Sequence, residues 1–473
     1  MEDFTQGSIP RHIVRMAVPV FFGMIFQTLY YLVDLYFVAQ LGGDAVAGVS
    51  TAGNLQFIVM ALTQVLAVGT MALIAHASGR KDRVDANLVF HQSLLLAALC
   101  MAITLAGGLA FAGTYTNMLA ANAGTALAAR QYLTFFLPAL ALQFALVTMG
   151  AALRGTGVAK PTMVVQVLSV VINAILAPIL IAGWGTGHPL GVKGAGLAST
   201  IAVAAAVVML LVYFLRLEHF VQFDRTQLRP HFHTWKRILK VGLPAGGEFA
   251  LLFVYMGIIY VIIRDVGADA QAGFGIGGRV MQSLFIPAMA IAFAAAPIAG
   301  QNVGAGNNDR ARRTFIDGVL MESALMLVLT IVAQLEGDSL IRIFTHDPAV
   351  VAVGAGFLGI ISFNFVAQGV IFTASGMFQA LGNTIPAMIS SATRVVTFAG
   401  PAWWLHNRPG FELRQLWYLS VATVTLQAFV SVGLLARAWK RRIEWAAESG
   451  ARAANAAIEA SGEPAKVAAP GGA

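Results

Sequence analysis

Charge is scarce in this chain of 473 residues: Asp, Glu, Lys and Arg supply 11% of it, and apolar residues 58%. Soluble globular domains carry about 25% charged residues, so a water-soluble globule is excluded. Cysteine is nearly absent. The one thiol, Cys100, can build neither a disulfide within the chain nor a thiolate metal cage. Catalytic and nucleotide signatures are missing as well. The Gly-rich stretch 300–306 lacks a Gly-Lys-Ser/Thr ending and reads as loop and helix-end devices rather than a phosphate loop. There is no His-Glu-x-x-His and no paired catalytic Asp motif, which argues against an intramembrane enzyme. His231 and His233 stand together without further ligands at metal-binding spacing. No metal and no cofactor is therefore expected. Alternating ten-residue strands are missing too, which leaves no basis for a membrane β-barrel.

What is present is apolar sequence, with a mean hydropathy of +0.76, in runs that exceed the roughly 20 residues a helix needs to cross a bilayer. The chain reads as an all-α polytopic membrane protein with twelve transmembrane helices. These fall at 13–40, 52–77, 88–113, 128–152, 162–183, 194–215, 239–264, 272–299, 314–335, 349–379, 387–406 and 414–438. The first apolar run follows Glu2 and Asp3 and has no cleavage-type ending, so it is read as a retained helix.

The net charge of +8 would suit nucleic acid, but its distribution does not. With the N-terminus inside, 22 of the 30 Lys and Arg fall on the cytoplasmic side, seven fall outside and Arg394 lies within a span. That is the bias that orients membrane proteins. The cytoplasmic clusters include Arg80, Lys81 and Arg83; Arg225, Arg229, Lys236, Arg237 and Lys240; Arg310, Arg312 and Arg313; and Lys440, Arg441 and Arg442. They sit in separate short loops without interleaved aromatic platforms, so no nucleic-acid partner is expected. Both termini are read as cytoplasmic, in a cell inner membrane or plasma membrane, with the lipid bilayer as the chain's surroundings and a monomer as its working form.

Residues 225 positions apart repeat one another. Gly42, Asp44, Ala45, Ala47 and Gly48 return as Gly267, Asp269, Ala270, Ala272 and Gly273; Pro19, Gln143, Gly157, Pro161 and Met163 return as Pro244, Gln368, Gly382, Pro386 and Met388. One register across helix-breaking and polar positions marks a duplication. The expected organisation is an N-terminal six-helix lobe over 1–215, a cytoplasmic linker over 216–238, a C-terminal six-helix lobe over 239–440 and a tail over 441–473 that ends in disorder. Six is an even number, so both copies enter from one side and are related by an axis along the membrane normal.

Taken as a set, several motifs resemble the multidrug and toxic compound extrusion family across roughly residues 8–440. They are Pro19, Asp34 and Gly42 in and after the first span; Leu153-Arg154-Gly155-Thr156-Gly157 with Lys160-Pro161 after the fourth; Gly191-Val192-Lys193-Gly194-Ala195 entering the sixth; and Gly300-Gln301-Asn302 with Gly304-Ala305-Gly306 after the eighth. The resemblance implies two lobes forming a V-shaped cleft and export of small cationic, amphipathic drugs against protons or sodium ions.

Asp34 is the sharpest candidate, since a carboxylate in a spanning helix costs about 2.5–3.5 kcal/mol on insertion scales and normally faces a polar interior. Gln27 and Tyr30 precede it on the same helical face. Burial penalises the charged form of such an acid, which suits it to binding and releasing protons. The resemblance assigns the matching acid a part in cation coupling. Asn173 follows Gln166 and Ser169 on one face of the fifth span, and Ser199 lies on the sixth; both are candidates for a network around Asp34. Relatives that share the Asp34 pattern carry a second carboxylate where this chain has Ala177, and the loss of a hard oxygen ligand favours a proton over sodium. Glu248, one turn beyond Pro244, is the second candidate coupling acid, one turn short of the family's position near Leu252.

Asn364, Gln368, Ser375 and Gln379 share one face of the tenth span and suit a tolerant binding wall, with Gln143 of the first copy opposite Gln368 if both lobes line one cavity. Tyr255, Met256, Tyr260, Met281, Phe285 and Met289 are candidates for soft and aromatic contacts to a cationic substrate. Arg394 is expected to tie helices together or to snorkel. The expected activity is proton-coupled secondary export. The rival is a flippase for lipid-linked oligosaccharides, which would want a strongly basic cavity where only Arg394 is available.

Overall fold

A computed structural model of the chain describes residues 2–461 apart from 121, 219, 223, 225 and 226. Arg225 and the end of the tail, 462–473, thus lie outside the described residues. Among those described, thirteen helices and no strand occur: α1 (Ile9–Ala39), α2 (Gly43–Gly79), α3 (Arg83–Leu119), α4 (Ala123–Gly155), α5 (Lys160–Ala182), α6 (Val192–Arg216), α7 (Phe232–Arg264), α8 (Ala268–Gly304), α9 (Asn308–Arg342), α10 (Pro348–Ile361), α11 (Phe365–Ala380), α12 (Ile385–His406) and α13 (Leu413–Ser461). Eleven segments are long and apolar enough to cross a membrane, with α10 and α11 forming one of them. The twelfth crossing is α12, which carries Arg394 and packs between α7 and α13.

The helices start where the chain offers a cap. Asn122 accepts the Thr125 amide at 2.7 Å, Asp82 accepts that of Asp85 at 3.0 Å, and Asp347 accepts that of Ala349 at 2.9 Å, each satisfying an otherwise orphaned donor. The repeat is visible in backbone geometry. Gly42 and Gly267 enter α2 and α8 at φ 103° and 133°, conformations that favour glycine. The turns after α2 and α8 each use a left-handed residue, Lys81 in the first copy and Gly306 in the second.

Two sequence expectations are corrected. The tenth span, 349–379, is not one helix: a 3-10 turn at Ser362–Asn364 divides it. Side chains of α9 take up the polar groups that the break frees, with Gln334 Nε2 donating to the Gly359 carbonyl and to Ser362 Oγ and Thr330 Oγ1 donating to the Ser362 carbonyl. A break at membrane depth is tolerated only when protein groups re-satisfy the backbone in this way. The last helix does not end near 438 but runs to Ser461.

Helices α1–α6 and α7–α13 form two lobes with separate large cores, one around Leu133, Leu137 and Phe144 and one around Ile263, Phe365 and Phe398. The lobes meet over the half that carries the α6–α7 linker, and the contact along α2 and α7 extends to Phe57 and Phe253, ring centroids 5.2 Å apart. There a Cβ on Gly69 would collide with the Ile238 carbonyl and one on Gly242 with the Val65 carbonyl. The repeat has alanines at the corresponding positions: Ala290 and Ala294 share one buried cluster with Ile13 and Ala17. At the far end Gly43, Gly53, Gly257, Gly275 and Gly278 all face open space. The result is a V closed at the linker face.

The N-terminal segment straps that closed end. Phe4 is fully buried, its amide donates to Gln301 Oε1 at 3.1 Å and its carbonyl accepts from Asn302 and Arg310, while the Glu2 amide donates to the Thr156 carbonyl of the other lobe. Asp3 orders the turn by accepting from the Thr5 hydroxyl and amide. The Thr5 hydroxyl, the Thr5 amide and Lys81 hold its carboxyl below the usual range against a smaller opposing effect of burial. A depressed carboxylate stabilises above its unfolded pKa of about 3.9, and the contribution disappears as pH falls through the folded value. Asp3→Asn is therefore expected to raise hydrogen–deuterium exchange in residues 2–7 at neutral pH, and the difference from wild type is expected to vanish below about pH 3. An equal difference at both pH values would remove the carboxylate from this role.

The linker itself is pinned by α3. Gln92 accepts from the His231 amide and the Trp235 indole and donates to the carbonyls of Gln227 and Arg229. Asp85 takes a two-bond fork from Arg237 at 2.8 and 3.1 Å and a third contact from Arg80, the paired geometry that makes arginine–carboxylate bridges directional.

Candidate functional site

Asp34 lies near the far end of α1 and is 7% exposed. Its Oδ2 accepts from the Tyr132 hydroxyl of α4 at 3.5 Å, and its Oδ1 has no hydrogen-bond partner among the described residues. Tyr132 is held by stacking on Phe136, centroids 4.8 Å apart, and by Gly196 of α6, which has no room for a side chain against the α4 backbone. Asn173 on α5 and Ser199 on α6 are fully buried, and neither polar atom of Asn173 nor the Ser199 hydroxyl is hydrogen-bonded. Leaving a buried polar group unmade costs about 1–3 kcal/mol. Three such side chains on three helices of one lobe therefore mark a place where stability is set aside.

One turn before Asp34, Tyr30 packs on Val170 and Ala202 and opens onto a small polar cavity. Gln27, Tyr30, Gln56, Gln143, Gln166 and Ser169 line it over Phe136, Leu146 and Val203, and its volume of about 30 Å³ admits a water. Sequence reasoning placed Gln27, Tyr30 and Gln143 here and missed Gln56, Phe136 and Tyr132. Nothing in the spacing of residues on α2 or α4 announces which of them will face α1.

The 225-residue offset carries this pocket into the second lobe: Tyr30 becomes Tyr255, Gln143 becomes Gln368, Gln166 becomes Ser391, and Ser169 becomes Arg394. These residues do meet. The Arg394 guanidinium lies 3.8 Å over the Tyr255 ring and reaches Gln368 Oε1 at 3.4 Å, while its Nε is buried and unpartnered. The Tyr255 hydroxyl pairs with Ser420 at 2.8 Å, to which Asn364 also donates. Two turns along α7, Glu248 accepts from Ser375 at 2.8 Å. The first lobe's pocket thus stands beside an acid, whereas the second lobe's is filled by a base.

Several expectations need correction. Gln143 lines the small first-lobe cavity, and Gln368 accepts from Arg394 of its own lobe. Tyr255 is 2% exposed and packs on Phe398 at 4.7 Å, and Phe285 packs on Phe365 at 4.9 Å. Both rings are held in the lobe core rather than on the cleft, and Met256 and Met281 lie half-buried against that core. Gln379 shares a face with Asn364 but sits about 22 Å along the helix from it. It stands at the sealed end beside Ala380, whose carbonyl contacts His76 of the first lobe at 2.6 Å. A further acid went unnoticed. Glu322 of α9 is fully buried, accepts from Thr373 and has an unpartnered Oε1; an acid amid the apolar ninth span was the available signal.

Comparison with known proteins places this geometry. The MatE family model matches twice, at residues 19–179 and 244–404, two segments set off by the same 225 residues as the repeat. The chain is 25% identical over 451 residues to the Bacillus subtilis "Probable multidrug resistance protein YoeA", covering 93% of this chain and 96% of that one. It is 23% identical to a Shewanella oneidensis "FAD transporter", covering 83% and 87%. An outward-facing structure of a multidrug resistance MATE family transporter shares the fold with a TM-score of 0.86 at 22% identity, covering 93% and 97%. With the family model spanning most of both lobes, the chain belongs to the MatE family of membrane transporters.

Proposed function

We propose that the protein is a proton-coupled exporter of small cationic, amphipathic compounds, and that Asp34 is the group whose protonation drives the exchange. The observation that carries the reading is the buried Asp34 carboxylate, which has one long bond to Tyr132 and an Oδ1 with no hydrogen-bond partner among the described residues. A neutral carboxyl tolerates that setting and a charged one demands a partner, which a cation or a change of packing supplies. Asn173 and Ser199 offer the neutral donors and acceptors that stabilise one state or the other. Glu248, bonded to Ser375, is the second acid in reach of a cationic substrate. The basic clusters support a linker face in the cytoplasm of a plasma membrane or inner membrane, in which reading the V opens outward and a monomer carries the whole path between its lobes.

The sequence of events follows from charge. In the outward-open form, protonation of Asp34 from outside removes the attraction for a bound cation, which leaves. Closure of the far end and opening of the linker face then return the proton inside. No nucleotide is needed. Liposomes holding the purified protein are expected to export a cationic dye when a pH gradient alone is imposed and to stay idle in a sodium gradient alone. Sodium-only drive would overturn the coupling assignment.

A second reading, carriage of a compound with an anionic end, is favoured by the Arg394 guanidinium, whose only neighbours of note are an amide oxygen and an aromatic face. In the same liposomes it predicts transport of an anionic dye that Arg394→Gln abolishes, whereas the cation reading predicts none.

A further inference from the structure

At the linker face, a pocket of about 290 Å³ opens between the α11–α12 turn and the end of α13, walled by Arg437, Arg441, Arg442 and Asn383 over an apolar floor that includes Leu381 and Leu434. Arg442 is committed to structure: it donates to Asn308 Oδ1 at 3.0 Å and to the Val303 carbonyl at 3.1 Å, which fixes the end of α13 against α8 and α9. Arg437 and Arg441 are one turn apart on one face of α13, and neither forms an ion pair among the described residues. A further positive element is the N-terminus of α12. Its N-cap hydroxyl, on Thr384, donates to the Val241 carbonyl, and the Ile385 amide is instead met by Asn383 Oδ1 at 3.3 Å, so the remaining first-turn amides supply the positive charge there.

The depth of the pocket decides what it meets. The apolar sequence of α13 gives way to Lys440, Arg441 and Arg442, which puts these arginines at the level of lipid headgroups. Cationic groups over an apolar floor at headgroup level match a phosphate carried on acyl chains better than a freely diffusing ion.

We infer that this pocket binds the phosphate of an anionic phospholipid headgroup, with Arg437 and Arg441 as its ligands and Arg442 as the strut that positions them. The site is separate from the pockets assigned to transport and stands whether or not the coupling assignment does. Full-length protein in phosphatidylcholine nanodiscs doped with phosphatidylglycerol provides the test, with bound lipid counted by native mass spectrometry. Wild type is expected to retain phosphatidylglycerol, the double variant Arg437→Gln/Arg441→Gln to bind it about 30-fold more weakly, and Arg441→Lys to keep most of the affinity. Arg414→Gln, at the opposite end of α13, controls for bulk charge and is expected to change nothing. Equal retention by wild type and the double variant overturns the site. Displacement by millimolar inorganic phosphate would instead assign it to a soluble phosphate and overturn the lipid assignment.

Discussion

Asp34→Asn is expected to abolish export driven by a pH gradient while leaving the protein folded and holding a cationic substrate only as weakly as the protonated form does. Asparagine keeps the shape of the side chain and can still meet the Tyr132 hydroxyl that Asp34 meets at 3.5 Å. What it cannot do is exchange a proton. One pH unit is worth about 1.4 kcal/mol per proton moved, a tenfold concentration ratio. A transporter that loses its single coupled proton therefore loses the whole of that ratio and relaxes to equal concentrations. The measurement is the steady-state dye ratio across liposomes, alongside binding of the same dye in detergent. Binding by Asp34→Asn is expected to fall to the level of the protonated wild type and to lose its pH dependence, while the ratio falls to one. Glu248→Gln separates the two acids, because a lowered affinity at an intact ratio marks a substrate contact and a lost ratio marks a second coupling group. Intact pH-driven export by Asp34→Asn would remove the acid from the mechanism.

Sequence reasoning reached the architecture because its signals are local and repeated. Long apolar runs, paired glycines at α2 and α8, and a constant offset specify spans, turns and two lobes without knowledge of any contact. Asp34 was legible for the same kind of reason, since an acid in an apolar run is conspicuous wherever it points. Partners were not legible. Tyr132 meets Asp34 because Gly196 lets α6 press on α4, a fact about helix packing that no spacing encodes. In the tenth span the polar residues Gln368, Ser375 and Gln379 keep their common face because all lie in α11, beyond the 3-10 turn; the turn at Ser362–Asn364 was not legible because it depends on Thr330 and Gln334 of another helix. Arg394 shows how far the repeat could have been pushed: carried through the 225-residue offset, Tyr30, Gln143 and Ser169 point to Tyr255, Gln368 and Arg394 as a second pocket of opposite charge.

Gly79→Leu is expected to force the closed face apart. The ends of α2 and α8 cross there in pseudo-symmetric fashion: Gly79 lies against the Gln301 carbonyl, and Gly304, its repeat partner, against the His76 carbonyl. Around this crossing Gln301 donates to the Gly155 carbonyl of the first lobe, and His76 contacts the Ala380 carbonyl of the second. A side chain at position 79 meets backbone rather than a side-chain tip that could swing away, so the overpacking belongs at the costly end of about 1–3 kcal/mol. Levied on the outward-open form alone, 3 kcal/mol shifts its balance with the inward-open form by roughly 150-fold. Spin labels at Val84→Cys and Arg312→Cys, introduced in a Cys100→Ser background, report the separation of the lobes at this face. Gly79→Leu is expected to lengthen and broaden that distance and to slow export at least tenfold, because the cycle must pass through the closed form. Gly53→Leu, whose added side chain enters open space, is expected to leave the distance unchanged. If Gly79→Leu also leaves distance and export unchanged, the ends of α2 and α8 do not form the seal.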